Sequence, residues 1–339
     1  MASVLDYSGK FTNCHVAVIG DLMLDEYAWG HIERISPEAP VPILNIVNQE
    51  CALGGAGNVV RNLRAIGVNV TVLGVVGEDT GGFQIRRLIE SLEVDAVGIV
   101  CDPTRSSTRK IRLMSIEHGQ QVFRMDQESA RCVRPEIEDE LLSHVDRATL
   151  HANVVLCSDY SKGALTRRVL NGVFEMSRKC GIPTLVGPKG FDAERYRGAT
   201  VLMPNQRELA QLTRTSVAGD PWLTSAAAKL IDNLSPRALV VTRGKDGMSL
   251  FEAAGSGQKQ LDIPTMARSV YDVTGAGDTA ISMLAAMIAA GASLESAVYL
   301  ANLAAGIKVG KRGTSTVTIE ELKEHLWEER RGIACAASR

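Results

Sequence analysis

Asp272-Val-Thr-Gly-Ala-Gly-Asp-Thr279 runs directly into Ala280-Ile-Ser-Met-Leu-Ala-Ala-Met-Ile-Ala-Ala290, and Gly291 ends the run. Alanine and leucine are strong helix formers and a glycine just past them is a stop signal, so Gly275-Ala276-Gly277 reads as a tight turn at a helix N-terminus. Free N–H groups and the positive end of the helix dipole meet there, which makes a seat for an anion, most often a phosphate. A carboxylate placed in that seat repels what it should hold. Asp278 makes chemical sense as a base that takes a proton from a nucleophile while the amides of Gly275, Ala276 and Gly277 stabilise charge on a transferring phosphoryl group. Helix capping explains Asp and Thr at this point, but not the two glycines in front of them.

The same letters satisfy G-x-G-x-x-A, the dinucleotide-binding fingerprint. That fingerprint follows a buried strand and opens more sheet. Arg268-Ser-Val-Tyr-Asp272 makes a poor buried strand, and the 60 or so residues beyond the motif read mostly as helix. The dehydrogenase reading is set aside.

The 339 residues, 45% of them hydrophobic, suffice for one large α/β domain or two smaller ones. A net charge of −2 gives no electrostatic footprint for nucleic acid or anionic membrane. Seven scattered cysteines without a C-x-x-C pair read as reduced thiols, and no signal peptide is visible in Met1–Lys10. The helix after Asp278 is too short to span a bilayer. A soluble cytoplasmic protein is expected.

Short β-branched runs alternate with helical stretches, the pattern of a mostly parallel central sheet flanked by helices. Strands are predicted at His15–Ile19, Val68–Val76, Val94–Val100, Val154–Cys157, Pro183–Val186, Val201–Met203, Ala238–Thr242 and Met248–Phe251. Pro40–Val47 and Ser107–Arg124 break the alternation and read as β-ribbon excursions, roughly 26–52 and 103–126, that form a small second layer. One domain over residues 1–331 is expected, with 332–339 as a frayed tail.

Further constellations fall after strands or before helices. Gly54-Gly-Ala-Gly-Asn58 opens a helix, letting backbone approach a ligand beside a side chain that gives and accepts hydrogen bonds. Asp21 and Asp25 follow the first strand, where α/β sheets collect ligands, and carboxylates suit sugar hydroxyls. Asn205 and Glu208, three apart at a helix start, can face one site and hold Mg²⁺ directly or through water. Thr242-Arg-Gly-Lys-Asp-Gly247 is a turn positioned to cover a nucleotide. The chain has no Walker A motif, and its six histidines have no metal-ligand spacing.

Taken together and in this order, these motifs resemble the ribokinase-like (PfkB) sugar kinases over nearly the whole chain. Within that family the chain is most similar to the kinases of D-glycero-β-D-manno-heptose 7-phosphate, the kinase half of bifunctional ADP-heptose synthases. The residues behind the narrower likeness are Arg34–Pro42, Ser158-Asp-Tyr-Ser-Lys-Gly163, Pro188-Lys189-Gly190 and Glu194-Arg-Tyr-Arg-Gly-Ala-Thr200. The resemblance implies transfer of the ATP γ-phosphoryl group to the anomeric hydroxyl of the sugar phosphate, for lipopolysaccharide core synthesis, and a β-sheet lid that makes a homodimer interface. It assigns Asp278 as base, Gly275, Ala276 and Gly277 as anion hole, and Asp25, Gly55 and Asn58 as sugar contacts. Lys189, Thr242, Gly244, Gly247 and Asn302 fall on the nucleotide side, and Asn205 and Glu208 in the Mg²⁺–phosphate region. Asp272 with Gly310–Ser315 resembles a monovalent-cation site, which adds K⁺ as a further candidate ion. Lys110 and Arg112, two apart on one strand face, are expected to hold the 7-phosphate, with Arg124 from the neighbouring strand. Two departures stand out. Gly187 occupies a position that is Asp in close relatives, predicting a slower kinase with a higher Mg²⁺ requirement unless glycine serves a positive-φ turn there. No H-x-G-H nucleotidyltransferase motif occurs, so the second activity is expected to lie in another polypeptide or a removed domain.

Overall fold

Successive residues of the first strand fall into two different cores. Val16 and Val18 pack on one side of it, Ala17 and Ile19 on the other. A strand buried on both faces belongs in the middle of a parallel sheet covered by helices. In the computed structural model, which describes residues 7–337 apart from 118, 218–221, 255–256, 312 and 314, that is where it lies.

In chain order the elements are β1 (His15–Gly20), β2 (Leu22–Ile35), β3 (Pro42–Gly55), α1 (Ala56–Ala65), β4 (Asn69–Gly77), α2 (Thr80–Glu90), β5 (Ile99–Asp102), β6 (Thr108–Ser115) and β7 (Gln121–Gln127). There follow α3 (Pro135–Thr149), β8 (Val154–Ser158), α4 (Arg167–Cys180), β9 (Thr184–Gly187), β10 (Val201–Leu202), α5 (Gln206–Thr213), α6 (Trp222–Leu234) and β11 (Ala238–Thr242). The chain closes with β12 (Met248–Ala254), β13 (Gly257–Ile263), α7 (Ala276–Ala289), α8 (Leu294–Val309) and α9 (Ile319–Ala337).

Nine of these strands form the central sheet, in the order β13-β12-β11-β10-β9-β8-β1-β4-β5. Pairing is parallel from β11 to β5 and antiparallel for β11–β12 and β12–β13. Residues of α1, α2, α7 and α8 fill the core on one face, and residues of α3 to α6 fill the other. Helices α7 and α8 are apolar almost all round because they sit inside that first core.

The other four strands make a separate small sheet, β3-β2-β6-β7, in which β2 pairs antiparallel to β3 and parallel to β6. Strand β2 leaves the core sheet one residue after β1 ends, at Asp21. Its polar Asp25, Glu26 and Tyr27 conceal a 14-residue strand from pattern reading. The strand expected over Val94–Val100 is the shorter β5, displaced to Ile99–Asp102, and β13 was not expected at all. Helix α9 continues to Ala337, through most of the segment expected as a frayed tail, while 338 and 339 lie outside the described residues. Among the described residues no helix is long and apolar enough to cross a membrane.

Candidate active site

Gly275 is the N-cap of α7 and lies in the left-handed region at φ +76°, which bends the chain so that Asp278 falls in the first helical turn. A Cβ at Gly275 would stand 3.0 Å from Asn58 Nδ2, so the turn also presses against α1. The Asn58 amide donates to Asp278 Oδ2 at 2.7 Å, and the Tyr160 hydroxyl donates to Oδ1. Both carboxylate oxygens are therefore fixed by groups from different elements, with lone pairs left over for a third donor. Burial raises the Asp278 acid above the ordinary carboxylate range; the Tyr160 and Asn58 donors work against that rise, nearby Asp25 adds to it and Lys110 opposes it. A carboxylate made more basic in this way is suited to taking a proton. Of the expected anion-hole amides, that of Ala276 is already given to the Val273 carbonyl at 3.2 Å. Those of Gly275 and Gly277 have no protein acceptor among the described residues, and Gly277 borders open space.

On the lid side, Asp25 of β2 accepts from Arg112 of β6 at 2.7 Å, and Arg112 lies over the Tyr27 ring with 5.1 Å to the centroid. A cavity of about 1110 Å³ opens here, lined among others by Tyr27, Trp29, Arg61, Arg112, Tyr271 and Asp272. Lys110 stands opposite Asp25 in the sheet register and carries its charge toward Asp278. Arg124 pairs across the strands with Arg112 but bonds Asp126 at 2.9 Å and is half exposed. The three basic residues thus share a face without converging on one point. Arg61 of α1 joins Arg112 at the cavity instead. Its place three residues after Asn58, on the same helix face, was the available signal.

Asp21 requires a correction. It was expected to face sugar hydroxyls, yet it is 2% exposed and accepts the backbone N–H groups of Tyr160 (2.8 Å), Lys162 (3.0 Å) and Ala164 (3.1 Å). It pins the loop that carries Tyr160. Gly55, N-cap of α1 at φ +56°, borders the same junction, and a Cβ there would stand 2.4 Å from the Asp21 carbonyl.

Beyond Asp278 a second cavity of about 200 Å³ is lined by Tyr160, Gly187, Lys189, Asn205, Glu208 and Thr242, among others. Asn205 and Glu208 form a reciprocal capping box on α5, with Asn205 Oδ1 accepting from Glu208 N–H and Glu208 Oε2 from Asn205 N–H. Glu208 Oε1 meets the Lys189 ammonium at 2.7 Å. Asn205 also bridges Thr242 at the end of β11. With these bonds in place, a Mg²⁺ ion bound with nucleotide phosphates fits Glu208 through its water shell, the usual habit of that ion. The Tyr196 hydroxyl, fully buried, accepts from Lys189 N–H at 2.8 Å and donates to Asp159 at 2.8 Å, so the Pro188–Gly190 loop is held from behind. Gly187 pairs with Ser158 in the sheet and is not among the residues with positive φ, so a strained turn does not explain its glycine. A Cβ there would meet Ile281 Cδ1 at 3.1 Å.

Gly244 and Gly247 lie in the β11–β12 turn, as expected. Asn302 lines neither of these two cavities; it is 4% exposed and donates to the Pro264 carbonyl at 2.7 Å, tying α8 to the segment after β13. Asp272 accepts from Thr274 N–H (2.9 Å) and Gly313 N–H (3.0 Å). Burial pushes its acid up, but these bonds and the Lys308 charge win and hold it below the usual value. The Gly313 carbonyl accepts from Lys308 Nζ at 2.8 Å. A lysine ammonium thus stands among the carboxylate and carbonyl of the expected K⁺ seat, and among the described residues it is that positive charge which fits poorly with an inorganic cation. Residues 312 and 314 of that loop lie outside the described residues.

Residues 14–321 match the pfkB family of carbohydrate kinases. The chain is 47% identical over 305 residues to the bifunctional protein HldE of Geotalea uraniireducens, covering 90% of this chain and 61% of the relative. To HldE of Paramagnetospirillum magneticum it is 42% identical over 97% of this chain and 66% of that protein. The chain therefore spans a little over three fifths of the length of these curated relatives. In fold it is similar to Escherichia coli phosphofructokinase-2, solved in complex with potassium (TM-score 0.75, 17% identity, 93% and 98% of the two chains). It is also similar to Arabidopsis thaliana ribokinase complexed with ribose and ATP (TM-score 0.71, 19% identity, 92% and 98%).

Proposed function

The chain belongs to the pfkB family of carbohydrate kinases, an ATP-dependent sugar kinase, and from that premise we propose that its acceptor is D-glycero-β-D-manno-heptose 7-phosphate, phosphorylated at the C1 hydroxyl. The observation that carries the reading is the doubly clamped Asp278, set in the first turn of α7 beside the unengaged amides of Gly275 and Gly277. Asp278 takes the hydroxyl proton as the sugar oxygen attacks the γ-phosphorus, the bond from that phosphorus to the β–γ bridging oxygen breaks so that ADP leaves, and the amides receive the charge on the transferring group. Lys189 and Glu208 face the nucleotide end of the site, and a Mg²⁺ held through the water shell of Glu208 would screen the phosphates. Arg112 and Arg61 line the acceptor cavity, where guanidinium forks suit the sugar's own phosphate. The likeness to HldE supports the choice of a heptose over other sugars.

The outer face of the lid sheet supports association of two copies. Ile111, Leu113, Phe123 and Met125 are cross-strand neighbours there, opposite to the face bearing Arg112, and Phe123 is 59% exposed. Apolar area gathered on one exposed face marks a contact surface.

A coupled assay of ATP consumption across a panel of sugars and sugar phosphates, with ³¹P NMR of the product, tests the function. A higher kcat/KM for a ketose or a pentose than for the heptose phosphate would overturn it.

A further inference from the structure

Lys308 is the one charged residue of α8 whose side chain is completely buried, at 0% exposure. Lysine is almost never fully buried without a partner, because its ammonium loses hydration that only close oxygen atoms replace. Its partners are specific. Nζ donates to the Gly313 carbonyl at 2.8 Å, while Gly313 N–H donates to Asp272 at 3.0 Å, so one loop residue links the lysine and the carboxylate. A Cβ built on Gly275, the N-cap of α7, would stand 3.8 Å from Lys308 Cε, which puts the lysine directly behind the anion cradle. The charged groups around it are Asp272 ahead of α7, Asp278 within it, and Lys311 in the following turn. Lys311 is turned away, bonded to the Thr316 carbonyl and to Glu321.

We propose that the Lys308 ammonium does the work of an inorganic monovalent cation beneath the Gly275–Gly277 turn, so that the phosphoryl-transfer site of this chain is complete without one. A covalently tethered positive charge ties Asp272 and the loop at Gly313 to the floor of the anion cradle and favours negative charge above it. It also takes the Gly313 carbonyl, one oxygen that a K⁺ ion would use there, and repels a second cation from the carboxylate beside it. The proposal rests on the kinase reading for its catalytic consequence, but not for its test on the protein alone.

The experiment compares the full chain with Lys308→Met, which removes the charge and ends one atom short of the place of Nζ, and Lys308→Gln as a second neutral variant. Melting temperatures are measured in KCl and in choline chloride at equal ionic strength. The parent should melt at the same temperature in both salts, and the variants should melt several degrees higher in KCl, as a vacated cation seat refills. Initial rates should follow: parent activity equal in the two salts, and Lys308→Met at least about tenfold slower in choline with partial recovery in KCl, the usual size of a supporting-residue effect. A parent that is activated several-fold by K⁺, or stabilised by it, would overturn the proposal, as would a Lys308→Met enzyme fully active in choline. If no acceptor is phosphorylated at all, the kinase reading fails and the melting comparison still decides the fate of the tethered cation.

Discussion

Asp21→Asn removes a buried charge with almost no change of shape. The Asp21 carboxylate is 2% exposed and accepts three backbone N–H groups from residues 160 to 164. Asparagine has one carbonyl oxygen, which in the better orientation keeps the Tyr160 and Lys162 bonds and turns its own NH₂ toward Ala164 N–H. One buried donor is then orphaned, at about 1–3 kcal/mol, and two bonds to a charged acceptor weaken to neutral ones, at about 0.5–1 kcal/mol each. The total, about 2–5 kcal/mol, is a large part of the roughly 5–15 kcal/mol that holds a typical domain folded. With about 2.1 cal/mol/K of unfolding entropy per residue over 339 residues, the melting temperature should fall by about 3–7 °C. Because that loop carries Tyr160, kcat should fall as well. Differential scanning calorimetry alongside steady-state kinetics measures both. A variant that melts within about 1 °C of the parent would refute the reasoning, since the Ala164 amide would then have found another partner.

Asp278→Asn should lower kcat by about 10²–10⁴-fold with little change in substrate affinity; near-normal turnover would rule out the base. Tyr160→Phe removes a donor that favours the charged carboxylate, so the Asp278 acid should rise further. Activity is lost as pH falls through that acid, so the acid limb of the kcat profile should move to higher pH, and a limb that stays put would show the hydroxyl to be a bystander. Arg112→Gln should raise KM for the sugar phosphate about tenfold or more and leave KM for ATP alone; equal effects on both would contradict its place on the acceptor cavity. Gly187→Asp should lower the Mg²⁺ concentration needed for half-maximal rate, because the backbone there is not at positive φ and the new Cβ asks Ile281 Cδ1, at 3.1 Å, to shift by only a few tenths of an ångström. An unchanged Mg²⁺ dependence would mean that Glu208 already supplies the contact.

What could be read from the sequence was local. The glycine turn before α7, the alanine-rich helix after it and the Asn205–Glu208 cap all follow from neighbours a few residues apart, and the structure places them where those neighbours dictate. The core strands were legible because burial on both faces leaves continuous β-branched runs. Strand β2 was not, because Asp25, Glu26 and Tyr27 interrupt its apolar residues. Asp21 misled because a carboxylate after a strand looks the same whether it faces solvent, a ligand or three amides from a loop some 140 positions away. Lys308 at a helix end resembles any solvated lysine until the loop at Gly313 folds over it.

The hydrogen bond from Asn58 to Asp278 joins residues 220 positions apart. At roughly 5–20 residues per second, a ribosome needs about 10–40 s to make the second partner after the first. Over that interval Val59, Val60 and Leu63 of α1, which share a core with α7, have no helix to cover them. The nascent protein thus carries an adhesive stripe until α7 has emerged, and that one helix both completes the candidate catalytic centre and ends the need for protection.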